Sequence, residues 1–389
     1  MQFFDLVVVG AGPAGSTTAR LAAEAGCSVL LVDKRQELGA PIQCSGAVSR
    51  HALEEVGIRP EPDFIQEPIH GFRIYDEAGG ATTIDYRELK ADEYGCGSLA
   101  TALGYVVDRR RFDRHLMTLA IRAGVEARLK CAATGYTCDD DGLATVRLRH
   151  YGQDLGVRTR CVVGADGLQS QVGKWAGLRT HIRNGELAAC LQYVCDGVES
   201  LGLLEIVTGD AWAPGGYAWV FPKGHGYTEI GLGVTPTCTP LSAKQHLRRF
   251  MEESFLAERF ADAKVLEVQG GGVPLAAPLT TQYADRMILV GDAARHVNPI
   301  TGGGIHTALS GGRIAAAVLA KAVRDGATFT PEVTSAYQDA WLEAVGEKMW
   351  RLYREKSSIF REGDIALRDR RLYGTMSSYF SPDSEYKKI

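Results

Sequence analysis

The chain has 389 residues, which is enough for two or three lobes rather than one small core. Apolar residues make up 45% and charged residues 23%, as in ordinary globular proteins, and the net charge of −4 gives no electrostatic case for nucleic-acid binding. No apolar run is long enough to cross a bilayer, and the nine cysteines form no CxxC pair, so neither a metal site nor a disulfide framework is indicated. We therefore expect a cytoplasmic protein whose membrane contact could only be peripheral.

A dinucleotide-binding pattern opens the chain. A valine-rich apolar run over residues 4–9 leads into a GxGxxG motif and then into a helical pattern. The motif residues that we expect at the nucleotide are Gly10, Gly12, Ala14 and Gly15. A second strand pattern over residues 28–32 ends at Asp33, where a carboxylate can bind a ribose hydroxyl. Strand, glycines, helix and acid together predict a nucleotide site.

Two weaker signals lie in the middle of the chain. The string DRRRFD, residues 108–113, contains Arg109 and precedes a helical pattern, and an apolar strand pattern over residues 161–163 ends at the GADG string that contains Asp166. A basic residue before a helix is more often a solvated side chain, and an Asp after a strand is more often a turn former. Each signal alone is therefore open to the simpler interpretation.

A third block lies late in the chain. An apolar strand pattern over residues 287–290 is followed by GDAARHVNPITGGGI, residues 291–305, which contains Asp292 and ends at a helical pattern. An Asp in this position can hold a polyol, and backbone N–H groups at a helix start can hold an anionic ring. Gly303, Gly304 and Ile305 stand at this predicted helix start.

Shorter, alternating strand patterns separate these blocks, and the chain reads as helical from about residue 331 onward. The sequence therefore predicts an α/β protein with a discontinuous Rossmann-like domain, an inserted, mainly antiparallel β-sheet substrate domain and a C-terminal helical region. The predicted limits are 1–70, 100–177 and 281–325 for the first, 71–99 and 178–280 for the second, and 326–389 for the third.

Together, these motifs resemble the group of flavoproteins that includes the aromatic hydroxylases, flavin-dependent halogenases and geranylgeranyl reductases. Residues 216–222, GYAWVFP, and residues 41–46, PIQCSG, resemble the geranylgeranyl reductases in particular. That family includes archaeal enzymes that saturate the isoprenoid chains of ether lipids. Arg295 and Ile305 stand where the hydroxylases usually have His and Asn, which weakens the resemblance to that branch.

The resemblance implies an FAD-binding domain, FAD as cofactor, a prenylated lipid as substrate and no metal. It places Arg109 near the polar spine of the cofactor, Ala133 beside the adenine and Asp292 on the ribityl chain. The other cofactor-binding residues that we predict beyond the first motif are Cys44, Ser45, Gly46, Ala47, Asp166, Gly303, Gly304 and Ile305. NADPH, a ferredoxin and a deazaflavin are equally compatible electron donors, so an electron-donor protein is a possible partner.

Saturating an isolated trisubstituted alkene requires a proton and a hydride. Our hypothesis is that protonation leads, positive charge builds at the tertiary carbon and reduced FAD delivers the hydride. Tyr217, Trp219 and Phe221 alternate along a strand and therefore share one face. An aromatic wall could stabilise positive charge by about 0.5–2 kcal/mol per ring. The alternative is that these rings simply pack in a sheet core.

Two further residues are candidates for catalysis. Cys44 could be the proton donor or a redox thiol, or only a small residue lining the flavin pocket. His296 abuts the flavin segment and could titrate near neutrality, or it could be a loop residue bonded to backbone. Both roles are kept as hypotheses.

Two other functions remain open on the sequence. One is an FAD monooxygenase acting on an aromatic or polyketide substrate, and the other is a non-catalytic electron carrier. The segment over residues 347–373 mixes basic and aromatic residues. It fits either a structural cap on the substrate domain or a contact with lipid phosphates at a membrane surface.

Overall fold

The computed structural model describes residues 1–90 and 98–384. In chain order, the strands are β1 (Gln2–Val9), β2 (Val29–Val32), β3 (Ala47–Ser49), β4 (Ile65–Ile69), β5 (Gly71–Tyr75), β6 (Ala81–Asp85), β7 (Gly104–Val107), β8 (Glu126–Arg128), β9 (Cys131–Cys138), β10 (Ala144–His150), β11 (Gln153–Gly164), β12 (Leu187–Asp196), β13 (Leu204–Thr208), β14 (Tyr217–Pro222), β15 (Thr228–Val234), β16 (Lys264–Pro274), β17 (Tyr283–Ala284) and β18 (Met287–Leu289).

The helices alternate with these strands in the first part of the chain and dominate its end. They are α1 (Pro13–Glu24), α2 (Arg50–Glu55), α3 (Tyr86–Leu89), α4 (Arg109–Arg122), α5 (Gln171–Trp175), α6 (Ala243–Glu253), α7 (Ala257–Phe260), α8 (Ile305–Arg324), α9 (Pro331–Trp341), α10 (Glu347–Phe360) and α11 (Ile365–Phe380). A π-helical turn, Leu342–Gly346, joins α9 to α10.

A largely parallel sheet forms the first layer. Its main path runs β17-β18-β11-β1-β2-β8, and β18, β11, β1, β2 and β8 are parallel, whereas β9 and β10 extend it as an antiparallel ribbon. The central strand β1 is apolar on both faces, because α1 and α8 cover one face and the β9–β10 ribbon with α5 covers the other. Every carboxyl end of these parallel strands therefore points to the same edge, as ligand-binding α/β sheets require.

A second sheet forms the other layer. Its order is β16-β12-β15-β14-β13-β5-β6, and its neighbours are antiparallel except for β13 and β5. Helices α6 and α7 cover one face, and α10 and α11 pack their apolar residues on the other. Strands β3, β7 and β4 form a third, small sheet. In the sequence, β3 and β4 come just before the first strand of the second sheet, and β7 comes between β6 and β8.

These layers confirm the predicted fold class, including the C-terminal helices. Strands β4 and β5 are separated by His70 alone and belong to different sheets. The domain limits drawn from the sequence remain a prediction. Helices α10 and α11, which belong to the predicted C-terminal region, pack on the second sheet. Among the described residues, no helix is both long enough and apolar enough to cross a membrane.

Candidate active site

One large cavity of about 970 Å³ runs between the two sheets. One end is lined by the carboxyl edge of the parallel sheet, including Gly10, Asp33 and Asp166. The other end is lined by apolar side chains of the second sheet and of α10 and α11, including Trp219, Phe221 and Phe380. The volume is at the upper end of the range for pockets that bind cofactors and large ligands.

The turn from β1 to α1 brings backbone to the cavity wall. Gly10 has φ +106°, and a Cβ on it would lie 2.2 Å from the Ala165 carbonyl oxygen. Gly12 has no atom within 4 Å of an added Cβ, since it faces the cavity. Helix α1 starts at Pro13 without a side-chain cap, so its first N–H groups are free for an anion.

Gly15 and Asp33 hold this turn in place. A Cβ on Gly15 would lie 1.9 Å from the Gly10 carbonyl oxygen, so this glycine serves the packing of α1 rather than the cavity wall. Asp33 accepts hydrogen bonds from the backbone N–H groups of Ala11 at 2.9 Å and Arg35 at 2.8 Å. Its carboxylate therefore organises the loops at the place where a ribose hydroxyl would bind.

Arg109 lies at the start of α4 and on the cavity wall. Its guanidinium donates to both carboxylate oxygens of Asp113 at 3.0 Å, and Cys44 lies beside it. Burial opposes the charged form, but Asp113 and Cys44 raise the pKa of Arg109 above its usual value. Arg109 therefore stays charged next to the Cys44 loop, residues 41–46, which precedes β3.

Two partly buried carboxyl groups, Asp166 and Asp292, line the cavity. Asp166 accepts from the Val172 N–H at 3.0 Å through Oδ2, while its Oδ1 has no partner among the described residues. Burial raises the pKa of Asp292, and Arg109 offsets part of that rise. Burial likewise raises the pKa of Asp166. A polyol would supply the hydroxyl donors that such buried oxygens need.

The loop before α8 is tied at Asn298. Its side-chain oxygen accepts from the N–H groups of Ile300 at 2.9 Å and Thr301 at 3.1 Å. Residues 302–304 then line the cavity, and α8 begins at Ile305 with no side-chain cap. The positive end of a 20-residue helix therefore opens onto the cavity, as the glycine pattern predicts.

The aromatic wall lies on β14. Tyr217, Trp219 and Phe221 all line the cavity, with ring centroids 5.8 Å apart for the first pair and 6.4 Å for the second. The Tyr217 hydroxyl donates to the Thr301 carbonyl, which joins this wall to the loop before α8. Burial raises the pKa of Tyr217, so its hydroxyl stays protonated.

Most of the predicted site residues meet at this cavity. Those that line it are Gly10, Gly12, Ala14, Asp33, Cys44, Ser45, Ala47, Arg109, Ala133, Asp166, Tyr217, Trp219, Phe221, Asp292, Gly303, Gly304 and Ile305. Gly46 does not line it: its φ is +87°, and a Cβ on it would lie 2.3 Å from the Val107 carbonyl oxygen. Gly15 is excluded by its packing on Gly10.

His296 is the predicted catalytic residue that the structure places elsewhere. Arg295 adopts a left-handed conformation, φ +60°, which turns the next side chain into the core behind α8. His296 is fully buried, stacks on Trp341 with centroids 4.0 Å apart and bonds to Gln282 at 2.9 Å. Burial lowers its pKa to about 3. Its position does not support a catalytic role, because neither its ring nor its proton reaches the cavity.

Several lining residues carry no signal in the sequence motifs. Lys356 of α10 is 7% exposed and donates to the Leu275 carbonyl at 2.7 Å. Burial lowers the pKa of Lys356 to about 8, and burial also lowers the pKa of His306, the second residue of α8, to about 4. Phe380 stacks on Phe72 with centroids 4.1 Å apart. Only the amphipathic pattern of the last helices hints at these contacts.

The two ends of the cavity agree with the families that the chain matches. Residues 4–197 match the family of FAD binding domains, and residues 186–273 match the geranylgeranyl reductase catalytic domain. The fold and cavity are therefore those of an FAD-binding oxidoreductase. The uncapped start of α1, the Asp166 Oδ1 that has no partner among the described residues, the Asp292 side chain on the cavity wall and the uncapped start of α8 fit the pyrophosphate, ribityl chain and ring of FAD.

Similar proteins cover nearly the whole chain. The digeranylgeranylglycerophospholipid reductase of Methanothrix thermoacetophila is 38% identical over 92% of this chain and 88% of its own. Digeranylgeranylglycerophospholipid reductase 2 of Methanopyrus kandleri is 39% identical over 92% and 87%. A crystal structure of a geranylgeranyl bacteriochlorophyll reductase-like protein from Thermoplasma acidophilum superimposes with a TM-score of 0.86 at 30% identity, covering 100% of this chain and 94% of that one. The chain belongs to the geranylgeranyl reductase family.

Proposed function

We propose that this protein is an FAD-dependent reductase that saturates the double bonds of geranylgeranyl chains on an archaeal-type ether phospholipid. The observation that carries the proposal is the single cavity that joins an FAD-shaped edge to an apolar, aromatic chamber. A polar substrate would not fill such a chamber, whereas a prenyl chain would bury its whole length there. The names of the similar proteins support the same substrate class.

The residues that would hold FAD line the parallel-sheet end of the cavity. The N–H groups at α1 would bind the pyrophosphate, Ala133 would lie beside the adenine, and Asp292 would accept from the ribityl hydroxyls. Gly303, Gly304 and the start of α8 would contact the ring. When bound and reduced, the flavin supplies the hydride.

The aromatic wall would stabilise charge on the substrate. Protonation of a trisubstituted alkene places positive charge on the tertiary carbon, and Tyr217, Trp219 and Phe221 line the chamber where that carbon would lie. Each ring would contribute about 0.5–2 kcal/mol. The chamber also excludes water, which would otherwise compete for the carbocation.

Cys44 is the proton donor that we favour. Its loop lines the cavity between Arg109 and β12, and the neighbouring Cys190 has its pKa raised to about 12 by burial, with Cys44 a further cause. Of these two cysteines, Cys44 belongs to the loop next to the FAD edge. Cys44→Ser should slow product formation and change solvent-deuterium incorporation, whereas full activity with unchanged deuterium content would remove the role.

The test of the function is an anaerobic incubation of reduced protein with a digeranylgeranylglycerophospholipid, followed by mass spectrometry of the lipid. The expected products are heavier by successive pairs of hydrogen atoms. A product that forms only with oxygen and gains an oxygen atom would instead establish the monooxygenase activity. The same assay with NADPH, a reduced ferredoxin or a reduced deazaflavin identifies the external electron donor.

Peripheral contact with a membrane is a second part of the proposal, because the substrate is a lipid. Ile365 is 55% and Leu367 is 37% exposed at the start of α11, next to the basic residues Arg361 and Arg370. Apolar side chains flanked by arginines suit an anionic lipid surface. The double variant Ile365→Ser, Leu367→Ser should float less well with anionic liposomes than the parent protein, and equal flotation would remove this contact.

A further inference from the structure

Three hydrogen-bonded or ionic contacts connect the aromatic wall to the Cys44 loop. The Trp219 indole N–H donates to Glu229 Oε1 at 3.1 Å. The other oxygen of Glu229, Oε2, lies 3.3 Å from Lys223 Nζ, which itself donates to the Ser45 carbonyl at 2.9 Å. Ser45 follows Cys44 directly, so one buried carboxylate is linked to both catalytic candidates.

The ion pair between Lys223 and Glu229 is buried. The side chain of Lys223 is 7% exposed and that of Glu229 is 0% exposed. Removing two charges from water costs about as much as their attraction returns, so such a pair is a weak source of stability. Its best-attested use is to impose one specific arrangement on the groups around it.

The hairpin of β14 and β15 is built to make the contact with the indole. Phe221 lies opposite Glu229 and Trp219 lies opposite Gly231 in the antiparallel register. A Cβ on Gly231 would come within 2.5 Å of the indole carbon Cε2. Because that position is glycine, the indole can lie across the neighbouring strand and bring its N–H to Glu229.

We propose that Glu229 and Lys223 are positioning residues that hold the Trp219 indole and the Cys44 loop in a fixed relation. Glu229 fixes the plane of the indole, and Lys223 fixes the Cys44 loop through the Ser45 carbonyl. This inference rests on the proposed function for its catalytic meaning, since it assigns a shared support to the aromatic wall and to the proton donor.

Glu229 also acts on the electronic character of the indole. A carboxylate that accepts from an indole N–H forms a charge-assisted hydrogen bond and increases the electron density of the ring. A richer ring face attracts a cation more strongly. The carboxylate itself is fully buried and does not line the cavity, so it strengthens the Trp219 face without pairing with the substrate.

Glu229→Gln tests the first half of the proposal. The amide keeps the size and an acceptor oxygen but removes the charge. Glu205→Gln is the matched control, because Glu205 is a buried carboxylate of the same sheet that pairs with Arg259 at 2.7 Å and with Tyr75, away from the cavity wall. Both variants lose one buried ion pair, but only the first alters Trp219.

The readouts are the indole N–H resonance of Trp219, assigned with Trp219→Phe, and the single-turnover rate of lipid saturation. We expect Glu229→Gln to move the resonance upfield and to slow saturation about tenfold at unchanged substrate affinity. Glu205→Gln should leave both unchanged in the folded protein. Equal resonances and equal rates in the two variants would overturn the role of Glu229.

Lys223→Met tests the second half. The readout is the rate at which iodoacetamide modifies Cys44 in the FAD-bound protein, measured on the Cys44 peptide. We expect a several-fold faster modification, because the loop loses its tie at Ser45, and no change for Lys244→Met on the exposed face of α6. Equal modification rates would overturn the role of Lys223. If the wild-type protein saturates no prenyl lipid, the proposed function fails, while the resonance and the modification rate still decide the positioning role.

Discussion

The two ends of the cavity are built in different ways. The FAD end is made mainly of backbone, from glycines and helix starts, together with three carboxyl groups, Asp33, Asp166 and Asp292, that each follow a strand of one parallel sheet. The substrate end is made of side chains that arrive from β5, β14 and the C-terminal helices. The backbone groups that bind FAD lie in short sequence motifs, and one added Cβ can block them. The side chains that bind the substrate come from distant parts of the sequence, and each contributes a small part of the binding free energy.

Because they are built differently, the two ends of the cavity select their ligands by different properties. A cradle of N–H groups selects phosphate and an electron-poor ring by charge and direction. An apolar chamber selects length and shape, and its contributions add in small steps. The first end therefore favours a charged cofactor with one fixed orientation, and the second favours a long apolar chain.

The largest effect is expected at the backbone end. Gly10→Ala should abolish FAD binding, because its Cβ would lie 2.2 Å from the Ala165 oxygen at a φ of +106°. Gly12→Ala should leave the fold intact, since no protein atom lies within 4 Å of the new carbon, but should lower FAD affinity at least about tenfold, or 1.4 kcal/mol. The measurements are bound flavin per protein and circular dichroism. Normal FAD binding by Gly12→Ala would show that this wall does not face the cofactor.

A smaller effect is expected at the aromatic wall. Trp219→Leu keeps the chamber apolar but removes a ring face, and should slow saturation by roughly two- to thirtyfold. The control is Trp212→Leu, because the Trp212 indole bonds to the Glu77 carbonyl outside the cavity. Single-turnover rates on the same lipid are the measurement. Unchanged turnover in Trp219→Leu would show that this ring only packs in the cavity wall and does not stabilise positive charge.

The same contrast between the two ends decides which residues of the site could be predicted from the sequence. Gly10, Asp33 and the segment from Gly291 to Ile305 follow strand patterns directly, so local periodicity placed them at one sheet edge. Lys356 and Phe380 could not be placed, because an amphipathic helix does not name the sheet on which it will pack. His296 was misplaced because one left-handed residue, Arg295, reverses the direction of the side chain that follows.

Lys356→Met probes the substrate end through stability. Burial lowers the pKa of Lys356 to about 8, while the unfolded chain keeps the proton up to about pH 10.4. Between these values the unfolded state binds more protons, so stability rises with pH, and the full penalty for the buried charge applies below about pH 8.

The variant should therefore lose this rise and gain about 1 kcal/mol at pH 7, after allowance for the lost hydrogen bond to Leu275. Thermal unfolding between pH 7 and pH 10 is the measurement. Lys244→Met, on an exposed helix face, should change neither. A parallel pH dependence in wild type and Lys356→Met would show that this ammonium is solvated.

The smallest effect on activity is expected from His296→Asn. The variant loses the stacking on Trp341 and should lower stability by about 1 kcal/mol. Its turnover per folded, FAD-bound molecule and the pH profile of that turnover should match the wild type, because the ring does not line the cavity. If turnover of the variant no longer rose or fell with pH where that of the wild type does, His296 would take part in the reaction.

In the proposed reaction, one cavity brings a prenyl double bond to the flavin edge. The most direct measurement is an anaerobic single turnover in which flavin absorbance and lipid mass are followed together after reduced protein is mixed with a geranylgeranyl phospholipid. We expect each flavin that is reoxidised to remove one double bond and to add one pair of hydrogen atoms. Flavin that stays reduced in the presence of bound lipid, or that is reoxidised with the lipid unchanged, would contradict it.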